Sequence, residues 1–184
     1  MKRISKLKGF SFIEVIIILG IIGIIASIAI SSYSNSISTT HLKNTANQIY
    51  SDLKLAKSEA LKQNKTIFVS FSGNNTNWCY GVNEDSPCNC NEKNSCQLHD
   101  VEKVVSSDEL NNIQLQKAKF AGGGTSTAFD PNRGFAIGNG VRNGSIWLKA
   151  NNDNQVAIII NRMGRVRYCS PQLAGYSKSC PTPP

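Results

Sequence analysis

Residues 10–30 read FSFIEVIIILGIIGIIASIAI, a run in which Glu14 is the only charged residue. At ~1.5 Å per residue, a helix of this length covers about 30 Å, the thickness of a bilayer's hydrocarbon core. The stretch is therefore long enough to span a membrane. Lys2, Arg3, Lys6 and Lys8 precede it without a compensating acid. Basic flanks stay cytoplasmic, which places everything after the span on the far side. An ordinary secretory signal has an apolar stretch of ~7 to 15 residues followed by a small-residue cleavage site; this run is longer and no such site follows it. Glu14 needs a partner, because an unpaired carboxylate within a span costs roughly 2.5 to 3.5 kcal/mol. Cleavage after Gly9 would supply one, the new α-amino group of Phe10, on the same subunit or on a neighbour.

Those features converge on a known pattern. KGFSFIEVIIILGIIGIIA, residues 8–26, resembles the class III signal of type IV pilins and type II secretion pseudopilins. The resemblance implies that a prepilin peptidase removes residues 1–9 by cutting after Gly9. It also implies that Phe10 becomes the methylated N-terminus and that Glu14 aligns subunits by pairing with a neighbour's N-terminus. It covers the first thirty or so residues and does not specify which pilin this is.

Beyond Ser31 the pattern turns amphipathic. Leu42, Ala46, Ile49, Leu53, Ala56 and Ala60 recur at the spacing of one helical face. Lys43, Lys54, Lys57, Glu59 and Lys62 fall between them, on the side expected to meet solvent. A helix from Phe10 to about Gln63 would be about 80 Å long, far beyond an average globular helix. The period then changes. Stretches 66–72 (TIFVSFS), 78–82 (WCYGV), 113–120 (IQLQKAKF), 145–150 (SIWLKA) and 156–160 (VAIII) are strand-like. GGGT at 122–125, DPNRG at 130–134 and GNG at 138–140 are turns. The expected fold class is α+β, one long N-terminal helix packed on mostly antiparallel strands. The expected organisation is a cleaved leader over 1–9, a transmembrane or filament-core half of the helix over 10–30, an amphipathic half over 31–63, and a β-rich globular domain over 64–184.

Six cysteines, Cys79, Cys88, Cys90, Cys96, Cys169 and Cys180, allow fifteen pairings if all are bridged. The gaps among Cys88, Cys90, Cys96 and His99 match zinc knuckles poorly, and an exported chain meets an oxidising compartment, where disulfides form. Cys169 and Cys180 are expected to pair, closing a loop at the end of the basic region, which contributes up to ~3 kcal/mol in the chain-entropy model. The other four pair within the loop from Cys79 to Cys96, in an order the spacing leaves open. Neither His41 nor His99 has a Ser or Cys neighbour in a nucleophile setting. Glu84 with Asp85 and Asp108 with Glu109 are adjacent loop acids rather than an acid/base pair. The glycines at 122–124 lack the Lys and Ser/Thr of a phosphate loop. The expectation is a protein without catalytic residues, metal or cofactor.

Charge is unevenly spread. Of a net +8, the first nine residues carry +4, and residues 10–132, with nine bases against eleven acids, carry −2. From Arg133 onward, Arg133, Arg142, Lys149, Arg162, Arg165, Arg167 and Lys178 oppose only Asp153. Within NRMGRVRYC (161–169), Arg165 and Arg167 are two apart, so a continuing strand projects them to one face. Gly164 permits a turn and is expected to leave its N–H open to a phosphate. Arg donates two hydrogen bonds to one phosphate, and Tyr168 and Tyr176 are candidates either for stacking on bases or for simple packing.

FDPNRG at 129–134, the following GSIWL and the late GRVR at 164–167 together resemble the GspH/FimT family of minor pilins and pseudopilins. FimT-like members of naturally competent bacteria bind DNA through a C-terminal Gly-Arg-x-Arg motif. The resemblance implies a DNA-binding role for Gly164, Arg165 and Arg167, with Arg162 as a flanking contribution; Lys178, in the same basic region, is a further DNA-binding candidate. The expected partners are double-stranded DNA, other major and minor pilins, the inner membrane before assembly and the prepilin peptidase. The expected location is the inner membrane with a periplasmic globular domain, then the extracellular pilus. The rival readings are a type II secretion pseudopilin and a pilus structural, priming or adhesion subunit without DNA binding.

Overall fold

The computed structural model describes residues 9, 11–111, 113–137 and 143–181, with the side chains of 28–32 outside that description. The leader residues 1–8, Phe10, the expected turn at 138–140 and Arg142 therefore lie outside the described residues. Among the described residues one long α-helix, α1 (Phe12–Gln63), occupies the N-terminal third of the chain. The chain divides into two compact units, 1–37 and 38–184.

In the first unit, α1 exposes Phe12, Ile13, Ile16, Leu19, Ile22 and other large apolar side chains. Glu14 sits in its first turn and is exposed. The span expected over 10–30 reaches into Phe10 and the side chains of 28–30, which lie outside the described residues. Among the described residues, no helix is long and apolar enough to cross a membrane.

In the second unit, Leu42, Ala46, Ile49, Leu53, Ala56 and Ala60 are all fully buried. Each large aliphatic side chain so buried contributes roughly 1.5 to 3 kcal/mol. They join one core with residues of two antiparallel sheets. The first sheet has the order β5-β2-β1-β7-β8, with β1 (Ile67–Asn74), β2 (Asn77–Glu84), β5 (Val104–Ser106), β7 (Ser126–Phe129) and β8 (Ala136–Ile137). The second has the order β11-β10-β9-β6, with β6 (Gln114–Phe120), β9 (Gly144–Lys149), β10 (Gln155–Ile160) and β11 (Val166–Cys169). A short ribbon, β3 (Gln97–Leu98) with β4 (Val101–Glu102), lies in the cysteine-rich loop. Reciprocal backbone bonds of 2.8 Å between Asn75 and Leu115 tie β1 to the start of β6. The protein is thus α+β, with a type IV pilin-like fold.

Three disulfides close the domain: Cys79–Cys90, Cys88–Cys96 and Cys169–Cys180. The first two staple the loop that leads from β2 to the short ribbon. Below the sheets, the Tyr80 hydroxyl donates to Asp52 on α1 at 2.7 Å, and Lys103 lies 3.3 Å from the same carboxylate. Burial, with Asp52's charge beside it, pushes the Tyr80 phenol far above its ordinary range, so it remains a donor at any physiological pH.

One helix residue departs from its expected solvent-facing position. Glu59 is buried, because the cysteine-rich loop docks over it. His99 Nε2 lies 2.8 Å from Glu59, Gln63 donates to it at 3.0 Å, and Lys62 lies 3.4 Å away. The backbone N–H of His99 donates to Glu84, which also accepts from Lys65 at 2.7 Å. The Gln63 hydrogen bond, helped by His99 and Lys62, outweighs burial and lowers the Glu59 pKa; Lys65 and the His99 N–H lower that of Glu84. A carboxylate whose folded pKa lies below its unfolded value stabilises the fold above the unfolded pKa, and that stabilisation disappears as pH falls through the folded value. Acidification below about pH 4 is therefore expected to loosen residues 97–102 before the β10–β11 hairpin. Amide hydrogen exchange across the acid range measures the order of opening.

Candidate nucleic-acid interface

Strand β10 does not run on into the basic segment; it ends at Ile160 and folds back. Asn161 N–H donates to the Arg165 carbonyl at 3.1 Å, and Gly164 N–H donates to the Asn161 carbonyl at 2.9 Å. The Asn161 side-chain oxygen accepts from the N–H groups of Met163 and Arg165 at 3.1 and 2.9 Å. The result is a tight hairpin turn with glycine in the left-handed region, Gly164 at φ +68°. The N–H of Gly164 is consequently closed within the turn rather than open to a phosphate.

Glycine is required there for a second reason. A Cβ on Gly164 would overlap the carbonyl oxygen of Gly134, in the DPNRG turn. Gly134 has φ +62°, and a Cβ on it would lie 2.7 Å from the Lys57 side chain. Ala136 N–H donates to the Arg162 carbonyl at 3.2 Å. The Lys57 ammonium, from α1, donates to the carbonyls of Met163 and Gly164 at 3.2 Å each. Two motifs separated by thirty residues of sequence thus form one packed unit held by a helix lysine.

Arg162, Arg165 and Arg167 are exposed. Val166, between the last two, is buried and pairs with Ile160, so the alternation of β11 turns Arg167 outward opposite Ile159. Among the described residues there are five ion pairs, and none includes an arginine. Arg165 and Arg167 line an open groove of about 710 Å³ whose other wall is α1, with Lys54, Lys57 and Ser58. Lys54 sits over the Tyr50 ring at 5.1 Å. Arg162 and Lys178 are not among the groove's walls.

Lys178 is directed elsewhere. Its ammonium donates to the carbonyls of Pro171 and Leu173 at 3.0 Å, across the loop closed by Cys169–Cys180. The two tyrosines also pack inward. Tyr168 stacks on Tyr50 with centroids 4.5 Å apart, its hydroxyl donates to Asn47, and Tyr176 meets it edge-on at 5.9 Å. Burial pushes both phenols up. These rings fasten β11 and the tail loop to the helix and do not form an open stacking platform.

By sequence alone Lys54 and Lys57 belong to a solvated helix face. Their spacing of three places them on one face, but nothing local reveals that β11 lies opposite. Replacing Gly164 by Ala is expected to cost about 2 kcal/mol or more through the left-handed φ and the clash with Gly134. A urea titration measures it; a wild-type midpoint would show that the turn does not depend on glycine.

The family model described as type II transport protein GspH matches residues 45–164. Two curated fimbrial proteins of Pseudomonas aeruginosa are each 32% identical to this chain over 93 residues, which is 50% of this chain. The chain spans 60% of the length of these relatives. No solved structure matches it. With well over half of the chain matched by the family model, and a long helix followed by an antiparallel β domain, this protein belongs to the GspH family and has a type IV pilin-like fold.

Proposed function

We propose that this chain is a minor pilin that holds extracellular double-stranded DNA by its phosphates, for uptake in natural transformation. The observation that carries this reading is the exposed Arg165–Arg167 pair, without a carboxylate partner among the described residues, facing Lys54 and Lys57 across one groove. Four cations around an open groove, two of them planar guanidiniums, suit a polyphosphate ligand. Contacts to phosphate carry little sequence information, as uptake of arbitrary DNA requires. A single subunit would bind at roughly 10⁻⁴ to 10⁻⁶ M, the range of non-specific association. Several subunits in one filament raise the avidity.

In this reading a prepilin peptidase cuts after Gly9, the apolar first half of α1 anchors the subunit in the inner membrane, and Glu14 meets the N-terminus of a neighbouring pilin. Arg162 and Lys178 then act as flanking charges, Lys178 through the tail loop it braces. A second reading, a pseudopilin of a type II secretion system that binds partner subunits rather than DNA, is favoured by the description of the matching family model.

Arg165→Gln and Arg167→Gln are each expected to weaken binding to unrelated duplexes alike, by roughly three- to tenfold. Each should also lower the slope of log affinity against log salt by about one. Gel shift and anisotropy titrations measure both quantities. Unchanged affinity in both variants, or no binding by the wild type, favours the pseudopilin reading.

A further inference from the structure

The second sheet has two faces. Its inner face carries Ile146, Leu148, Val156, Ile158, Ile160 and Val166 into the main core. On its outer face, strand register aligns Arg167 with Ile159, Ile159 with Ser145, and Ser145 with Lys119. The adjacent row runs Cys169, Ala157, Trp147 and Lys117. Lys117 and Lys119 are exposed, and among the described residues neither takes part in an ion pair.

The outward strand positions hold no Asp or Glu. The acid nearest in sequence to these strands is Asp153, in the β9–β10 turn. It is paired at 2.6 Å with Lys149, four residues along β9 from Ser145. The tail covers part of this face, for the Cys169–Cys180 bridge packs with Trp147 and Ala157. Among the described residues, what stays open is a hollow of about 380 Å³ bordered by Lys117, Lys119, Ser145, Ile159 and Gly123, with Pro181 of the tail at its rim. Three strand steps at ~4.8 Å put the backbones of Arg167 and Lys119 about 14 Å apart. The major groove of a DNA duplex is about 12 Å wide.

Resting on the DNA reading above, and on β11 being an edge strand whose Arg167 borders both the α1 groove and this face, we infer that the bound duplex lies across this outer face, with one phosphate backbone on Arg165 and Arg167 and the other on Lys117 and Lys119. The face between the two basic rows offers a half-buried isoleucine and a hydroxyl, neither of which repels an approaching backbone. Lysines on the edge strand β6 also guard a sheet against pairing with another chain. That role concerns solubility and leaves DNA affinity untouched, so the two roles separate experimentally.

The test uses the full-length chain in nonionic detergent, a fluorescent duplex of arbitrary sequence and anisotropy titrations at several salt concentrations. The Lys117→Gln/Lys119→Gln double variant is expected to bind about tenfold more weakly, with a salt slope lower by about two. Its thermal unfolding should match the wild type. Lys62→Gln/Lys93→Gln removes the same charge elsewhere and should leave the slope unchanged. If the Lys117/Lys119 variant binds as the wild type does while Arg165→Gln/Arg167→Gln loses binding, the duplex does not cross this face and the DNA reading survives. An equal loss in the Lys62/Lys93 control also overturns the assignment, since net charge alone would then govern affinity. Unaltered binding in all three variants removes the arginine site and this inference together.

Discussion

Burial of one stripe of α1 is the constraint from which the rest of the domain follows. Leu42, Ile49 and Leu53 fill the space beneath both sheets, while Ala46, Ala56 and Ala60 leave room for them. Around that stripe the helix pins each part of the domain by a different polar or aromatic contact. Tyr50 and Asn47 hold β11 through Tyr168. Asp52 holds β2 through Tyr80, Lys57 holds the β10–β11 turn, and Glu59 holds the cysteine-rich loop through His99. These contacts lie within thirteen residues of one helix, from Asn47 to Glu59, so their relative placement is as rigid as the helix itself.

The exposed arginines are a consequence of where the carboxylates went. Asp52, Glu59 and Glu84 are committed to Lys103, His99 and Lys65 near the first sheet. Asp130 caps its own turn through the N–H groups of Asn132 and Arg133, and Asp153 holds Lys149. A turn braced by Asn161, Gly134 and Lys57 then presents Arg165 and Arg167 without an opposing charge among the described residues. Its rigidity comes from neutral carbonyl acceptors and close glycine packing, which leave the guanidinium groups unneutralised. In the proposed DNA reading, the braced turn leaves only the arginine side chains to be ordered when a phosphate arrives.

Much of the architecture was readable from residue types. The 3.6-residue repeat located the buried face of α1, and five β-branched or aromatic runs fell on β1, β2, β6, β9 and β10. The short strands β3, β4, β5, β7 and β8 were not foreseen. Two- to four-residue strands carry too little alternation to register, and those in the cysteine-rich loop depend on cross-links whose order spacing does not encode. Glu59 was misplaced because its partner, His99, lies forty residues away. The Gly-Arg-x-Arg segment stands out in the sequence by composition and by resemblance. Its contact with the DPNRG turn, the closed N–H of Gly164 and the inward role of Lys178 emerge only from tertiary packing, which also decides that Tyr168 packs rather than stacks on bases.

Whether the helix-braced hairpin presents its paired guanidiniums to a polyphosphate is read out by two-dimensional NMR. The ¹⁵N-labelled protein would be titrated with a short duplex of arbitrary sequence. Shifts are expected in the backbone of 162–168, the arginine side chains of that segment and the Lys54–Lys57 turn of α1, with those around Lys117 and Lys119 reporting separately on a duplex that crosses the outer face. These shifts should reverse as salt is raised. Shifts confined to the cysteine-rich loop, or a spectrum indifferent to DNA, would contradict the DNA reading.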